Sequence, residues 1–289
     1  MIIKLKISRI RKKIMEKSKE IQLYVISHNP KDIVNIKTNE IYTPLFVGRN
    51  GKDNLGFLSD DTGENISAKN QDYSELTGLY WMWKNSNATI MGLCHYRRYF
   101  NNDNGSLIQK EDIIDYLSDN DIILPKKTKL IKGTYKETYK DHYITEILNV
   151  AEDVISDIYP EYIESYKEIM SQDEFYSFNM FIAKKELINE YCNWLFTILE
   201  EIENRVDLSK YPRVLGYISE AIQAVWLNKQ DLKIKELKIR YIGNKLKVIM
   251  AITENQFLRK TYRLLYSKFL NKPAGKKIEE KINEFFYGK

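Results

Sequence analysis

The chain has 289 residues, 43% of them hydrophobic and 29% charged, a balance that supports one large packed domain or two small ones and excludes a fully disordered chain. Two cysteines, Cys94 and Cys192, are too few for a disulfide framework, so a reducing cytoplasm is the expected compartment. The net charge of +5 hides a segregation: residues 1–20 carry +6 and residues 233–289 carry +10, leaving −11 on residues 21–232. Basic ends favour an anionic partner, either nucleic acid or an anionic membrane leaflet, although solvated helix faces produce the same runs.

In chain order, residues 1–20 lack the apolar stretch and cleavage site of a signal peptide and read as a retained basic arm or helix. IQLYVIS (21–27) is an apolar, β-branched run and gives a first buried strand, ending at His28. YTPLFVG (42–48) is a second short strand, and the turn-forming stretch 49–70 is loop. Leu76, Leu79, Tyr80 and Trp83 recur at helical spacing. TIMGLC (89–94) and DIILP (121–125) predict two more strands, and residues 141–171 two helical segments with Pro160 near the start of the second. FYSFNMFIA (175–183) reads as one strand leading into a helix, YPRVLGYISEAIQAVWLNK (211–229) as a loop entering a helix, and LKIRYI (237–242) as a last strand. Two basic helices with apolar faces follow, one through Phe257, Leu265 and Phe269, the other through Ile278, Ile282 and Phe286. No apolar run approaches the roughly 20 residues that span a bilayer. Strands alternating with helices predict an α/β fold with a mostly parallel sheet.

Ligands of open α/β sheets bind beyond the C-terminal ends of strands. Two of the three histidines, His28 and His95, stand at such ends, and Arg97 and Arg98 follow His95. Two guanidiniums at a strand end suit a phosphate or pyrophosphate, which they bind bidentately; either histidine alone is equally well a structural one. No GxGxxG or GxxxxGK[ST] run is present, the cysteines lack CxxC partners and no GxSxG elbow occurs. Those absences argue against a dinucleotide oxidoreductase, a P-loop nucleotidase, a zinc site and a serine hydrolase.

Four blocks, DDTGENISAKNQDYSELTGLYWMWKN (60–85), GLCHYRRYF (92–100), FNMFIAKKELINEYCNWLF (178–196) and PRVLGYISEAI (212–222), resemble in order the signature blocks of one bacterial family. It is the family of capsular and exopolysaccharide biosynthesis proteins bearing the HYRRYF motif, regarded as glycosyltransferases. The resemblance spans roughly residues 21–230. It implies a GT-A-like catalytic domain over 21–232, between the basic arm 1–20 and a basic strand and helical extension over 233–289. It further implies transfer of a hexose, galactose or galactofuranose favoured, from a UDP-sugar to a polyprenyl-linked glycan. The place of action would be the inner face of the plasma membrane, with the basic C-terminal helices on its surface.

Within that resemblance His95, Arg97, Arg98 and His28 are expected to hold the donor pyrophosphate, and Asp61, Asn65 and Asn70 the nucleoside. Turn chemistry is an equal reading for Asp60 and Asp61. Asn179, Met180 and Trp81 are candidates for the acceptor or sugar pocket. Trp81 and Trp83 point to different faces, so one is expected in the core and the other at a pocket rim. Glu220 is the expected general base, with Asp173 and Glu174 in reserve; a first-turn Glu complementing the helix dipole is the alternative for Glu220. Ala221 stands where the family pattern has Arg. His142, in a Tyr-rich segment, belongs to an acceptor-facing lid or to a solvated helix. Many GT-A enzymes hold Mg²⁺ or Mn²⁺ on an Asp-x-Asp after a central strand. Here that strand end carries HYRR, and Asp119-Asn120-Asp121 precedes a strand, so no obligatory metal is expected, though Mg²⁺ or Mn²⁺ stays open. Two rival classes remain: a sugar-phosphate transferase of cell-surface polymer assembly, and a non-enzymatic nucleic-acid binder. The second is disfavoured because the basic residues lie at the termini and no RRM, KH or helix-turn-helix signature occurs, so no nucleic-acid partner is expected.

Overall fold

The structure is a computed structural model that describes residues 20–242 apart from 30–31, 33–35, 37–39, 52–55, 131–132 and 140–142. The basic arm, His142 and the two C-terminal helices lie outside the described residues. The chain divides into two compact units, Met1–Arg240 and Tyr241–Lys289; the first holds the fold described below.

Continuous apolar runs become the strands of a sheet covered on both faces. These are β1 (Ile21–Ser27), β2 (Tyr42–Phe46), β3 (Ile90–His95) and β5 (Ile122–Pro125). They are joined by β4 (Arg98–Phe100), β8 (Phe181–Lys184), β9 (Ile234–Leu237) and β10 (Ile239–Tyr241). β1 lies between β2 and β3, parallel to both, and β5 is parallel to β9. β8 is inserted antiparallel between β3 and β5. Five strands therefore share one direction, as the mostly parallel reading expects, and β8 opposes them. β4 turns back on the end of β3 through the pair His95–Arg98, and β10 lies beside β4.

The helices are α1 (Asn70–Tyr73), α2 (Leu76–Asn85), α3 (Lys110–Asp119), α4 (Tyr135–Tyr139), α5 (Ile144–Ile158), α6 (Ile163–Ser171), α7 (Lys185–Arg205) and α8 (Val214–Lys229). One side of the sheet, including Tyr24, Ile26, Leu45, Met91, Leu93, Leu124 and Phe181, shares a single buried core with α2, α5, α7 and α8. Among these, α8 is apolar almost all round, which a helix tolerates only when it is enclosed on most sides. None of the described helices is long and apolar enough to cross a membrane.

Three expectations are corrected here. The run 175–183 is not one strand. β7 (Glu174–Phe175) pairs with β6 (Thr128–Lys129) in a separate two-stranded sheet, and β8 begins only at Phe181. Between them Phe178 and Asn179 adopt φ of 79° and 52°, which no strand accommodates. The single last strand is two, β9 and β10. The sheet thus takes in residues 234–241, which the sequence reading puts with the extension, because β9 completes the hydrogen bonding of β5. Trp81, a pocket candidate, is a core residue 6% exposed, with Nε1 donating to the Thr62 carbonyl at 2.9 Å. Trp83 is half-buried and stacks on Phe196 at 5.7 Å.

Candidate functional site

The parallel strands end on a cleft of about 640 Å³, within the usual range of small-ligand pockets. β1 contributes Ile26, Ser27 and His28, β2 leads to Val47, and β3 delivers His95 with Tyr96. Because β8 runs against its neighbours, the turn that precedes it reaches the same end of the sheet and adds Phe178. α1 and the turn after it supply Asn70, Gln71, Ser74 and Glu75, and the start of α8 supplies Arg213, Gly216, Tyr217 and Glu220. The N-terminus of the 16-residue α8 thereby adds the positive end of its dipole.

The cleft wall is held in unusual backbone conformations. Among the described residues four non-glycines have positive φ: Ser74, Phe178, Asn179 and Arg213. Ser74, Phe178 and Arg213 line the cleft, and Asn179 directly follows Phe178. Such conformations cost on the order of 1–3 kcal/mol each and persist only where the surroundings enforce them. Here they are locked by hydrogen bonds: Asn70 Nδ2 donates to the Ser74 carbonyl and to Thr77 Oγ1, and Arg213 Nε donates to Ser74 Oγ at 3.1 Å. Gly216 lets α8 approach this turn, since a Cβ there would lie 2.8 Å from that of Ser74.

Two cationic side chains, Arg98 and Arg213, share the cleft lining with two carboxylates, Glu75 and Glu220. The Arg98 guanidinium lies over the Phe178 ring, 4.2 Å from its centre. His95 Nε2 is 2.7 Å from the Phe178 carbonyl oxygen. A carbonyl only accepts, so Nε2 carries the hydrogen. Burial pushes the His95 pKa down, partly opposed by the Glu75 charge, with Arg98 reinforcing the fall, so the imidazole is neutral at pH 7. Glu220 is pushed up to about 8 by burial and then by the Glu75 charge, against the opposing Phe178 N–H and Arg98.

A raised carboxyl pKa has a signed consequence for stability. The folded protein binds the Glu220 proton between about 4.5 and about 8, where the unfolded chain has released it. Stability is therefore full below about 4.5 and falls as pH rises through about 8. Glu220→Gln is expected to match the parent at pH 5 in urea denaturation and to exceed it at pH 9 by about 2 kcal/mol, after allowance for solvent at its open side. Equal pH dependence in the two proteins would refute this.

Of the sequence-expected residues, the cleft gathers His28, Asn70, His95, Arg98 and Glu220. It does not gather the rest. Arg97 is half of the two-residue turn between β3 and β4, is exposed, and lies 3.7 Å from Asp32. Asp61 accepts from Ser59 Oγ at 2.6 Å, and Asn65 Oδ1 accepts from the Ser67 N–H, so both are turn residues outside the cleft. Asp173, the reserve base, is exposed beside Lys129 at 3.4 Å, and Glu174 is exposed in β7. Met180 is fully buried in the core. Asn179 is buried behind the wall, with Nδ2 3.0 Å from Glu75 Oε1. The sequence reading missed Arg213 and left Glu75 without a role. The usable signal for both was position: each flanks a helix start within a block singled out for other residues.

Among the described residues no three His, Cys, Asp or Glu side chains are grouped to hold a metal ion. Asp121 lies before β5, with Oδ2 accepting from the Lys233 N–H.

The sequence profile of DUF4422, a domain of unknown function, matches residues 22–231. A search of curated proteins finds no match. Among solved structures, an apo structure of WbbM, a bifunctional glycosyltransferase, is similar with a TM-score of 0.70 and 29% identity. The alignment covers 78% of this chain and 45% of WbbM, so this chain spans less than half of that protein.

Proposed function

The chain belongs to the DUF4422 family, and from that premise we propose that it is a glycosyltransferase moving a hexose from a UDP-sugar to a lipid-linked glycan. The observation that carries the reading is the cleft at the ends of the parallel strands, which Arg98, Arg213 and the start of α8 line together with Glu75 and Glu220. Glycosyl transfer from a nucleotide sugar needs those two halves: positive charge for a leaving diphosphate and a carboxylate for the attacking hydroxyl. Likeness to a bifunctional glycosyltransferase supports the same reaction class. Attack by the acceptor oxygen on the anomeric carbon in one displacement inverts that carbon. The two arginines carry the leaving-group charge, and no step is routed through a metal.

Galactose or galactofuranose is the favoured sugar and a polyprenyl-linked capsular or exopolysaccharide glycan the favoured acceptor, both on the resemblance of the signature blocks. The net +10 of residues 233–289 supports peripheral attachment to the anionic inner face of the plasma membrane. Calorimetry of the full chain against UDP, GDP, CDP and UMP tests the donor class. Saturable binding of UDP, weaker for UMP and weakened further by Arg213→Ala, is the expected result. Equal or absent binding of all four nucleotides defeats the reading.

A further inference from the structure

Two adjacent left-handed residues before β8 control three side chains of the cleft. The Phe178 N–H donates to Glu220 and its carbonyl accepts from His95. Asn179 is fully buried, and its Nδ2 donates one hydrogen to Glu75 Oε1 at 3.0 Å and the other to Ser219 Oγ at 2.9 Å. Ser219 donates its own proton to the Gly216 carbonyl at 2.9 Å, so toward Asn179 it only accepts. That fixes which way round the amide sits. Asn179 Oδ1, by contrast, is buried with no hydrogen-bond partner. A buried amide with an unsatisfied oxygen, on a backbone at φ 52°, is unfavourable on both counts. What the arrangement secures is Glu75, an acceptor held by one oxygen with its side chain against the cleft.

We propose that Glu75, rather than Glu220, is the general base of the transfer and that Asn179 is its positioning residue. The inference rests on the glycosyl-transfer reading. As the acceptor oxygen bonds to the anomeric carbon, its hydroxyl proton passes to the Glu75 carboxylate. The carbon–oxygen bond to the diphosphate breaks with its electron pair on the leaving group, beside Arg98 and Arg213. Donation from Asn179 fixes the orientation of that carboxylate. Glu220, which retains its proton at neutral pH, serves as a hydrogen-bond donor in the same cleft. The titratable and charged groups sharing the cleft with Glu75 are His28 from β1, His95 from β3, Tyr96, Arg98 from β4, and Arg213, Tyr217 and Glu220 from the start of α8.

The test is UDP release from UDP-galactose and UDP-galactofuranose by the full chain with water as the acceptor, with UDP affinity measured alongside. Glu75→Gln is expected to lower kcat by about 10³ and Glu220→Gln by less than about tenfold. Asn179→Gly keeps the left-handed backbone and removes the side chain with its amide. It is expected to lower kcat by roughly 10–100-fold, with UDP affinity within about twofold. An Asn179 that merely stabilises the fold lowers Tm and leaves kcat of the folded enzyme in place. A kcat within about threefold of the parent in Asn179→Gly, or in Glu75→Gln, overturns the proposal. A parent chain that neither binds UDP nor releases it from either sugar instead defeats the glycosyl-transfer reading, and the base assignment with it.

Discussion

Changing Arg98 to Ala is expected to lower UDP-sugar turnover by about 10²–10³, while Arg97→Ala costs less than about tenfold. The two arginines are neighbours in sequence and opposites in space. Tyr96 and Arg97 form the two-residue turn between β3 and β4, so Arg97 leaves the sheet end for solvent, beside Asp32. Arg98 opens β4 directly opposite His95 and is carried back over the cleft. Its side chain is half-buried, with the guanidinium carbon 4.2 Å from the centre of the Phe178 ring, so little freedom is lost when an anion arrives. In a partly desolvated cleft a fixed charge acts on a developing diphosphate far more strongly than a mobile surface one. Removing Arg98 also leaves Glu220 with less opposing charge, which raises its cost of ionisation. Kinetics of both alanine variants at one ionic strength check this, and similar losses in the two would show that the turn does not separate their roles.

The same pair of residues shows how far the sequence could be read. Strands β1, β3 and β5 were legible because a strand buried on both faces must be a nearly unbroken apolar run. The cleft's position followed, since parallel strands present their C-terminal ends together, and His28, His95 and Arg98 lie there. Which of Arg97 and Arg98 faces the ligand depends on where a two-residue turn falls, and nothing in the string HYRRYF fixes that register. Glu75, Ser74 and Arg213 were harder still. Serine and arginine have no preference for positive φ, so their conformations are imposed by distant hydrogen bonds, such as Arg213 Nε to Ser74 Oγ across 139 residues. Asn179 did carry a signal. Asparagine is among the few side chains that tolerate the left-handed region, so an Asn inside an aromatic, apolar run marks a break in the strand rather than a pocket contact. The acidic net charge of residues 21–232 also gains meaning: an anionic donor meets an unfavourable background, and local arginines with a helix N-terminus must overcome it.

The largest expected loss of stability comes from a residue that touches no ligand. Asp60 is fully buried and accepts from the Gly48 N–H at 2.8 Å, the Arg49 N–H at 3.1 Å and Ser67 Oγ at 2.6 Å. Those three bonds tie the end of β2 to the 3₁₀ turn Ser67–Lys69, from which Asn70 enters the cleft. Asp60→Ala leaves three buried donors unmet and a space where the carboxylate stood, so unfolding free energy is expected to fall by about 3–5 kcal/mol. Against a typical total of about 5–15 kcal/mol, that loss leaves the protein marginal at 37 °C. Asp60→Asn is nearly isosteric and separates shape from chemistry. Whichever oxygen becomes NH₂ then faces a donor, so this variant should recover less than about half of the loss. Chemical denaturation of both variants at pH 7 provides the measurement. Full recovery by Asn would mean that the space matters and the acceptors do not. The expected link to function is that UDP affinity falls in both variants even where they remain folded, because Val47 and Asn70, on either side of the Asp60 bonds, both line the cleft.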